Sequence, residues 1–331
     1  MGHTVLVTGG AGFVGSHLTR RLLETGHRVR LLDSFVYGDT SIEHLRGNPN
    51  LEVIQGDICD RQDLRRATKG VRGVIALAAL VGDPACELFP ERTMAVNYQS
   101  TRDTVAACKE AGVERIVFAS SCSVYGANGD NFLDEDSFQN PVSLYARTRI
   151  MSEEYLLENS DLDVVILRLS TVCGVSSRMR FDLMINTMTA NAVTEGVVRV
   201  QGADQWRPHL HVQDAAEAFM MAYDATAVRR GIFNVGTDEE NYTIGEVAEK
   251  VAAQVPGTVI EYGHGISDKR SYRVSFERIR NALGFRGKRT VDDAISEVHK
   301  LMKSGTVGDF RDSQYNNAKW LSNNHHWRGA A

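Results

Sequence analysis

The stretch Thr8-Gly9-Gly10-Ala11-Gly12-Phe13-Val14-Gly15 decides how this chain is read. It follows the apolar run Val5-Leu6-Val7 and leads into Val14 to Leu23, where apolar residues return at helical spacing. A buried strand, a glycine turn and a helix in that order make a cradle for phosphate. Glycines let backbone N–H groups come close to an anion, and the helix start adds the positive end of its dipole. Gly9, Gly12, Phe13, Val14 and Gly15 are therefore the first binding candidates.

The next strand, Val29 to Leu32, ends on Asp33. An acid at that place accepts the hydroxyls of an adenosine ribose and repels a 2′-phosphate, so the reading favours NAD over NADP. Leu51–Ile54, Val74–Leu77, Ile116–Phe118 and Val164–Leu169 continue the same grammar, each bounded by Gly, Asp or Asn. Strands and helices at this rhythm imply a parallel sheet covered on both faces. The expected fold class is α/β: a Rossmann-like doubly wound parallel sheet with a smaller C-terminal α/β substrate lobe. After about residue 175 the pattern loosens into a helix from Arg178 to Glu195, a strand at Leu210–Val212 and a helix from Ala215 to Tyr223. A strand at Ile232–Val235 and a helix from Ile244 to Val255 follow. The expected division is an NAD-binding domain over 1–175, a substrate-binding lobe over 176–310, and a polar surface tail over 311–331. The lobe is either separate from the first domain or interleaved with it.

The bulk numbers narrow the partners. The 331 residues, 43% hydrophobic and 24% charged, suit one large folded domain or a domain with a lobe. A net charge of −5 gives no basic field for nucleic acid, so an anionic substrate needs arginines placed locally. The N-terminal apolar run is too short for a signal peptide or a membrane span. Cys59, Cys86, Cys108, Cys122 and Cys173 show no CxxC pairing, which predicts reduced thiols in a cytoplasm and neither a disulfide framework nor a zinc site.

A long helix is expected from Asn140-Pro141, a good cap followed by a residue tolerated at the first helical position. Tyr145 and Arg149 lie four apart on it and share a face. Ser121 lies just past a strand, at the carboxyl edge where such sheets bind ligands. A cation one turn away lowers a tyrosine's pKa toward that of a general base, and a serine hydroxyl shares the bond to the reacting oxygen. Taken alone, the pair reads equally as a half-buried tyrosine with a surface arginine. Asp57, in Gly56-Asp57-Ile58, reads as a contact to the adenine amino group or as a turn residue.

Together these pieces resemble the extended short-chain dehydrogenase/reductase family, in particular its NAD-dependent nucleotide-sugar epimerases and dehydratases. The matching motifs are TGGAGFVG at 8–15, GDI at 56–58, LAA at 77–79, Asn97, SSCSVYG at 120–126 and YARTR at 145–149. LRLSTVCG at 167–174, DQWRPHLHVQD at 204–214 and FNVG at 233–236 extend the resemblance, which runs to about residue 303. It implies that Tyr145 is the base acting on a sugar hydroxyl and that Ser121 assists. It also implies that Asp33, Asp57, Ile58, Leu77, Ala78, Ala79, Asn97, Tyr145 and Arg149 join the glycine loop in holding NAD.

The chain departs from the family at Arg149, where a lysine is usual. The charge is kept, but the planar fork is longer and differently aimed. The Asp-Glu pair that 4,6-dehydratases carry after the Ser/Thr is Cys122-Ser123 here, which argues against 4,6-dehydration; Cys122 itself reads as packed. On the substrate side Arg207 and Arg270 match diphosphate-binding arginines, Thr171 stands where many relatives have Asn, and Asn186 is expected near the nucleotide. Arg178 and Arg180 read as solvated charges. His209 and His211 straddle Leu210 with no third ligand, so they read as structural and no metal is expected.

The resemblance implies an epimerase that transiently oxidises a hydroxyl, at C4, of a nucleotide-diphosphate sugar. A net dehydrogenase or ketoreductase and a non-catalytic NAD-binding protein are the alternatives. It further implies a homodimer through the helices matching 90–111 and 141–159.

Overall fold

Seven parallel strands form the frame of this computed structural model, which describes residues 3–159, 161–263 and 270–324. The first five are β1 (Thr4–Thr8), β2 (Arg28–Asp33), β3 (Leu51–Gln55), β4 (Gly73–Ala76) and β5 (Arg115–Ser121). Between and after them run α1 (Gly15–Glu24), α2 (Arg61–Thr68), α3 (Asp83–Leu88), α4 (Pro90–Met94) and α5 (Ser100–Ala111). Next come β6 (Ala127–Leu133), α6 (Leu144–Glu158), β7 (Asp163–Leu169), β8 (Thr171–Cys173), α7 (Met184–Glu195), β9 (Val197–Val200) and β10 (Trp206–His211). The second half continues with α8 (Val212–Asp224), β11 (Arg230–Val235), β12 (Asn241–Thr243) and α9 (Ile244–Gln254). It closes with β13 (Val259–Tyr262), β14 (Ser271–Val274), α10 (Glu277–Leu283), α11 (Val291–Lys303) and α12 (Asn317–Asn323).

The main sheet has the order β11-β7-β5-β4-β1-β2-β3, with every neighbouring pair parallel. This is the Rossmann-like doubly wound sheet expected from the sequence. Its central strands carry buried apolar runs, such as those at 5–7 and 164–167, because both faces are covered. Leu18, Leu22 and Phe219 of α1 and α8 pack on one face, and Leu64, Val105 and Leu156 of α2, α5 and α6 on the other. The strand order reverses at β1/β4, so a crevice opens there at the carboxyl edge. The second half of the chain contributes β11 to this sheet and otherwise builds a smaller α/β lobe. There β12-β10-β8 form one sheet, β13 pairs with β9, and β14 pairs with β6. The lobe's own core gathers Ile185, Val247, Val251, Val291 and Ile295.

Three expectations need correction. The helix of Tyr145 starts at Leu144, capped by Ser143, whose Oγ accepts the Ala146 N–H at 3.2 Å. Asn140 instead donates its side-chain N–H to the Ala127 carbonyl at 2.9 Å, so it ties a loop. The helix read from Arg178 starts only at Met184, because Arg180 pairs with Asp182 within an irregular loop. The segment read as a polar surface tail docks against the body: Phe310, Asn317 and Leu321 are buried, and the Trp320 indole donates to the Val36 carbonyl at 2.7 Å. Its Asn-rich composition concealed three apolar anchors, Phe310, Trp320 and Leu321. Residues 325–331 of that segment, and Lys269 beside Arg270, lie outside the described residues. Among the described residues no helix is long and apolar enough to cross a membrane.

Candidate active site

A cavity of about 1180 Å³ runs along the crevice, from the glycine loop to the lobe. That exceeds the volume a single drug-sized ligand needs, so two ligands can lie end to end. Its floor is the carboxyl edge of β1, β2, β4, β5 and β7, and its far wall comes from β8, the 178–184 segment, Arg207, Arg270 and Asn317.

The cradle end is made by backbone. Gly9 has φ +72°, and a Cβ there would meet the Ala78 nitrogen at 2.7 Å. A Cβ on Gly15 would drive into the Gly9 carbonyl. The loop therefore stays open only with glycine at these places, as close approach to a diphosphate requires. Gly9, Gly12, Phe13, Val14, Gly15, Ile58, Leu77, Ala78 and Ala79 all line the cavity. Asp33 lines it too, and its two oxygens accept the N–H groups of Ala11 (3.0 Å) and Phe35 (2.9 Å). Burial pushes its carboxyl up, and those N–H groups oppose the shift. Asp57 lines the cavity while capping a turn, accepting from Cys59 N at 2.8 Å, and while bonded to Arg92.

The corner that gathers the candidate catalytic side chains lies further along. Tyr145, on the first turn of α6, faces the cavity beside Ser120, Ser121 and Ser123. Burial pushes the Tyr145 phenol up, and the Arg149 charge pulls it back only in part. Arg149 is buried, with its guanidinium 5.4 Å from the Tyr145 ring and 5.2 Å from Phe118. Its Nη1 donates to the Ala119 carbonyl (3.2 Å) and its Nη2 to the Asn97 carbonyl (3.1 Å), while Nε is enclosed without a partner. The Asn97 carbonyl lies in the π-helical turn Ala95–Gln99 and also accepts the hydroxyls of Ser152 (2.8 Å) and Thr101 (3.2 Å).

Ser121 ends β5, and its Oγ accepts the Ser123 N–H at 3.1 Å. Cys122 is packed beneath it, with its thiol on the Arg168 carbonyl at 3.3 Å and its pKa pushed up by burial. Behind this turn a buried ion pair sets its position. Arg168 donates to Glu153 at 2.6 Å and to the Tyr125 hydroxyl at 3.0 Å, and Ser120 donates to Glu153.

The lobe wall is made by side chains. Thr171 lines the cavity. Arg207 is buried and donates to the carbonyls of Trp206 (2.8 Å) and Arg270 (2.5 Å). Arg270 reaches across to Asp83 at 2.9 Å. Arg178 and Arg180, expected in solvent, also line the cavity; Arg178 is only 7% exposed. Two predicted binding residues do not reach it. Asn97 is buried behind the wall, its side chain bonding both the N–H and the carbonyl of Leu80 at 2.9 Å. Asn186 is locked inside the lobe, bonding Gly174 at 3.1 and 3.0 Å and the Arg180 carbonyl at 2.9 Å. It faces that loop because α7 begins only two residues earlier. The two histidines part company: His211 pairs with Glu297 at 3.0 Å, while His209 stacks on Tyr242 with neither ring nitrogen bonded.

Sequence reasoning missed Ser123, whose Oγ is enclosed without a partner in the cavity wall, and Asn317, on the docked segment. Ser123 was visible two residues past Ser121. Asn317 carried no local signal.

The comparisons with known proteins bear on this geometry. Residues 5–236 match a family model described as the NAD dependent epimerase/dehydratase family. The 3 beta-hydroxysteroid dehydrogenase/Delta 5-->4-isomerase of Mycobacterium tuberculosis is 35% identical over 190 residues, 54% of this chain; the chain spans only 49% of that enzyme's length. A putative UDP-glucose 4-epimerase of Methanocaldococcus jannaschii is 28% identical over 315 residues, 91% of this chain and 98% of that one. Among solved structures, MoeE5 in complex with UDP-glucose and NAD superposes with a TM-score of 0.77 at 30% identity, over 92% of this chain and 100% of that one.

Proposed function

The chain belongs to the NAD dependent epimerase/dehydratase family, and on that premise we propose that it epimerises a nucleotide-diphosphate sugar. One hydroxyl, at C4, is oxidised to a ketone, which is then reduced from its other face. The observation that carries this reading is one continuous cavity with the glycine cradle at one end, Arg207 and Arg270 at the other, and Tyr145 between them.

NAD, when bound, would supply a reversible acceptor for the hydride of the reacting carbon. Everything else falls to the protein. The glycine loop, Asp33, Asp57 and the Leu77–Ala79 edge hold the dinucleotide. Tyr145 takes the hydroxyl proton at its phenolate oxygen and later returns it. Ser121 and Ser123 offer hydroxyls to the same sugar oxygen or its neighbours. Arg149 keeps a positive charge beside the phenolate and favours that form. Arg207 and Arg270 present guanidinium forks to the sugar's diphosphate. The proposal includes the division of labour between residues 1–175, holding NAD, and 176–310, holding the sugar nucleotide. It also includes a homodimer through the helices at 90–111 and 141–159, which sedimentation equilibrium tests.

Two features argue against neighbouring chemistries. Cys122 is sealed against Arg168 and Ser123 bears no carboxyl, so the acid/base pair for 4,6-dehydration is missing. The likeness to the steroid dehydrogenase covers about half the chain, and the lobe wall carries Arg178, Arg180, Arg207 and Arg270, which suit an anionic ligand better than a sterol.

The test is an NMR time course in D₂O with a panel of nucleotide sugars and no added cofactor. An epimer free of deuterium at the reacting carbon supports a closed cycle on retained NAD. Turnover that depends on added NAD or NADH would replace the epimerase with a net oxidoreductase. NAD binding without any turnover would favour a non-catalytic protein.

A further inference from the structure

Two lobe arginines, Arg178 and Arg180, line the cavity, and Asp182 lies beside them. Arg180 bonds it through two 2.9 Å contacts. Arg178 lies instead over the Tyr37 ring, 4.1 Å from its centroid. Its Nη2 is enclosed with no hydrogen-bond partner, and so is the Tyr37 hydroxyl. Both side chains line the cavity. A buried guanidinium donor without an acceptor is costly, and an aromatic face returns only part of that cost and accepts no in-plane hydrogen bond. Burial and the neighbouring Arg180 pull its pKa down to about 10, so it stays charged at neutral pH. Asp182 and Asp33 act on it only through space, so its Nη2 is left for an anionic acceptor.

The clamp around Arg178 says where that anion lies. Two residues earlier, Ser176 donates to the Phe13 carbonyl at 2.8 Å and meets the Ser16 hydroxyl at 3.1 Å. His17 meets the Val175 carbonyl at 2.9 Å. Phe13, Ser16 and Val14 belong to the glycine loop and the start of α1, so segment 175–178 is fastened onto the phosphate cradle. Tyr37 comes from the other side, four residues past Asp33. We propose that Arg178, seated on the Tyr37 ring, is a cationic cap for the cofactor's diphosphate and closes the cradle from the lobe side. The proposal rests on the NAD reading above. The unpartnered donor of Arg178 would then meet phosphate oxygens, which a guanidinium fork suits. The dinucleotide then bridges the two walls, which is how a cofactor is retained between half-reactions.

Calorimetric titration of cofactor-stripped protein with NAD, ADP-ribose, adenosine and UDP tests this. Arg178→Met should weaken NAD and ADP-ribose at least about tenfold, as expected for loss of a charged contact to phosphate. Adenosine and UDP should stay within about twofold. Arg178→Lys should recover part of the loss and carries the test should the Met variant fail to fold. Unchanged ADP-ribose affinity would overturn the proposal. So would an equal loss for adenosine, which marks a structural role, or a loss for UDP alone, which assigns the arginine to the substrate's diphosphate. Wild-type protein binding neither NAD nor ADP-ribose would overturn the cofactor reading itself and this proposal with it.

Discussion

The two walls of the cavity are built on opposite principles. The sheet-edge wall is backbone: a glycine turn, strand ends and N–H groups, with Asp33 fixed by two amides. The lobe wall is side chain: arginines whose partners come from distant sequence. Arg207 binds a carbonyl 63 residues away, and Arg270 reaches Asp83. A backbone site tolerates little change at few positions. A side-chain site can be retuned one residue at a time, which suits the part of a fold that meets varied substrates.

The sharpest way to separate the walls is a change that removes chemistry and nothing else. Tyr145→Phe deletes one cavity-facing oxygen on the sheet side. Turnover should fall by about 10³-fold, within the range that a lost general base costs. The affinity for NAD and the melting temperature should hardly move. Steady-state rates, calorimetry and thermal unfolding of the same preparation check this. A variant that keeps full turnover removes Tyr145 from the mechanism.

The contrast between the walls also explains what the sequence could say. The glycine loop, Asp33, Ser121 and Tyr145 could be placed at one cavity because their positions follow from spacing along one strand or one helical turn. The seven-strand sheet was legible through its apolar runs, and so was β11, although nothing local told that it leaves the lobe to pair with β7. Arg178 was misread because its burial depends on Tyr37, 141 positions away by numbering, and on the clamp from Ser176 to Phe13. Asn97 and Asn186 have amide side chains that suit ligand binding, yet both are spent on backbone groups. Spacing cannot reveal that. The docked segment at 310–324 was hidden because three anchors in a polar stretch make no period.

The lobe has its own weak point behind that wall. His209 is fully buried beside Arg207, with neither ring nitrogen bonded, and burial pulls its pKa down to about 3. The folded state therefore refuses a proton that the unfolded chain accepts below about pH 6.5. Stability is lost as the pH falls from about 6.5 toward 3, and the loss from this one group is about 2 kcal/mol at pH 5. His209→Phe keeps the stacking on Tyr242 and removes the titration. Its stability in urea should match wild type at pH 7.5 and exceed it by about 2 kcal/mol at pH 5. Equal acid sensitivity in the two proteins would place the weak point elsewhere.

The smallest expected effect falls where the walls meet, at Arg149. Both of its terminal nitrogens are committed to carbonyls of the sheet side, so it acts on Tyr145 by charge across the ring rather than by a bond to the phenol. A nearby cation favours phenolate, and burial already pushes the phenol up. Arg149→Met should therefore shift the rising limb of the pH–rate profile to higher pH, by about one unit, and lower the rate near pH 7 about tenfold. Arg149→Lys restores the charge on a shorter stem that cannot reach both carbonyls at once. If the limb returns to the wild-type pH, charge alone matters, and the arginine is a replacement the site accepts. If it stays with the Met variant, the position of the charge matters, and the two carbonyls of Ala119 and Asn97 that hold the fork are part of how this site is built around arginine. A limb unmoved in both variants would show that Arg149 sets no pKa and only packs the corner.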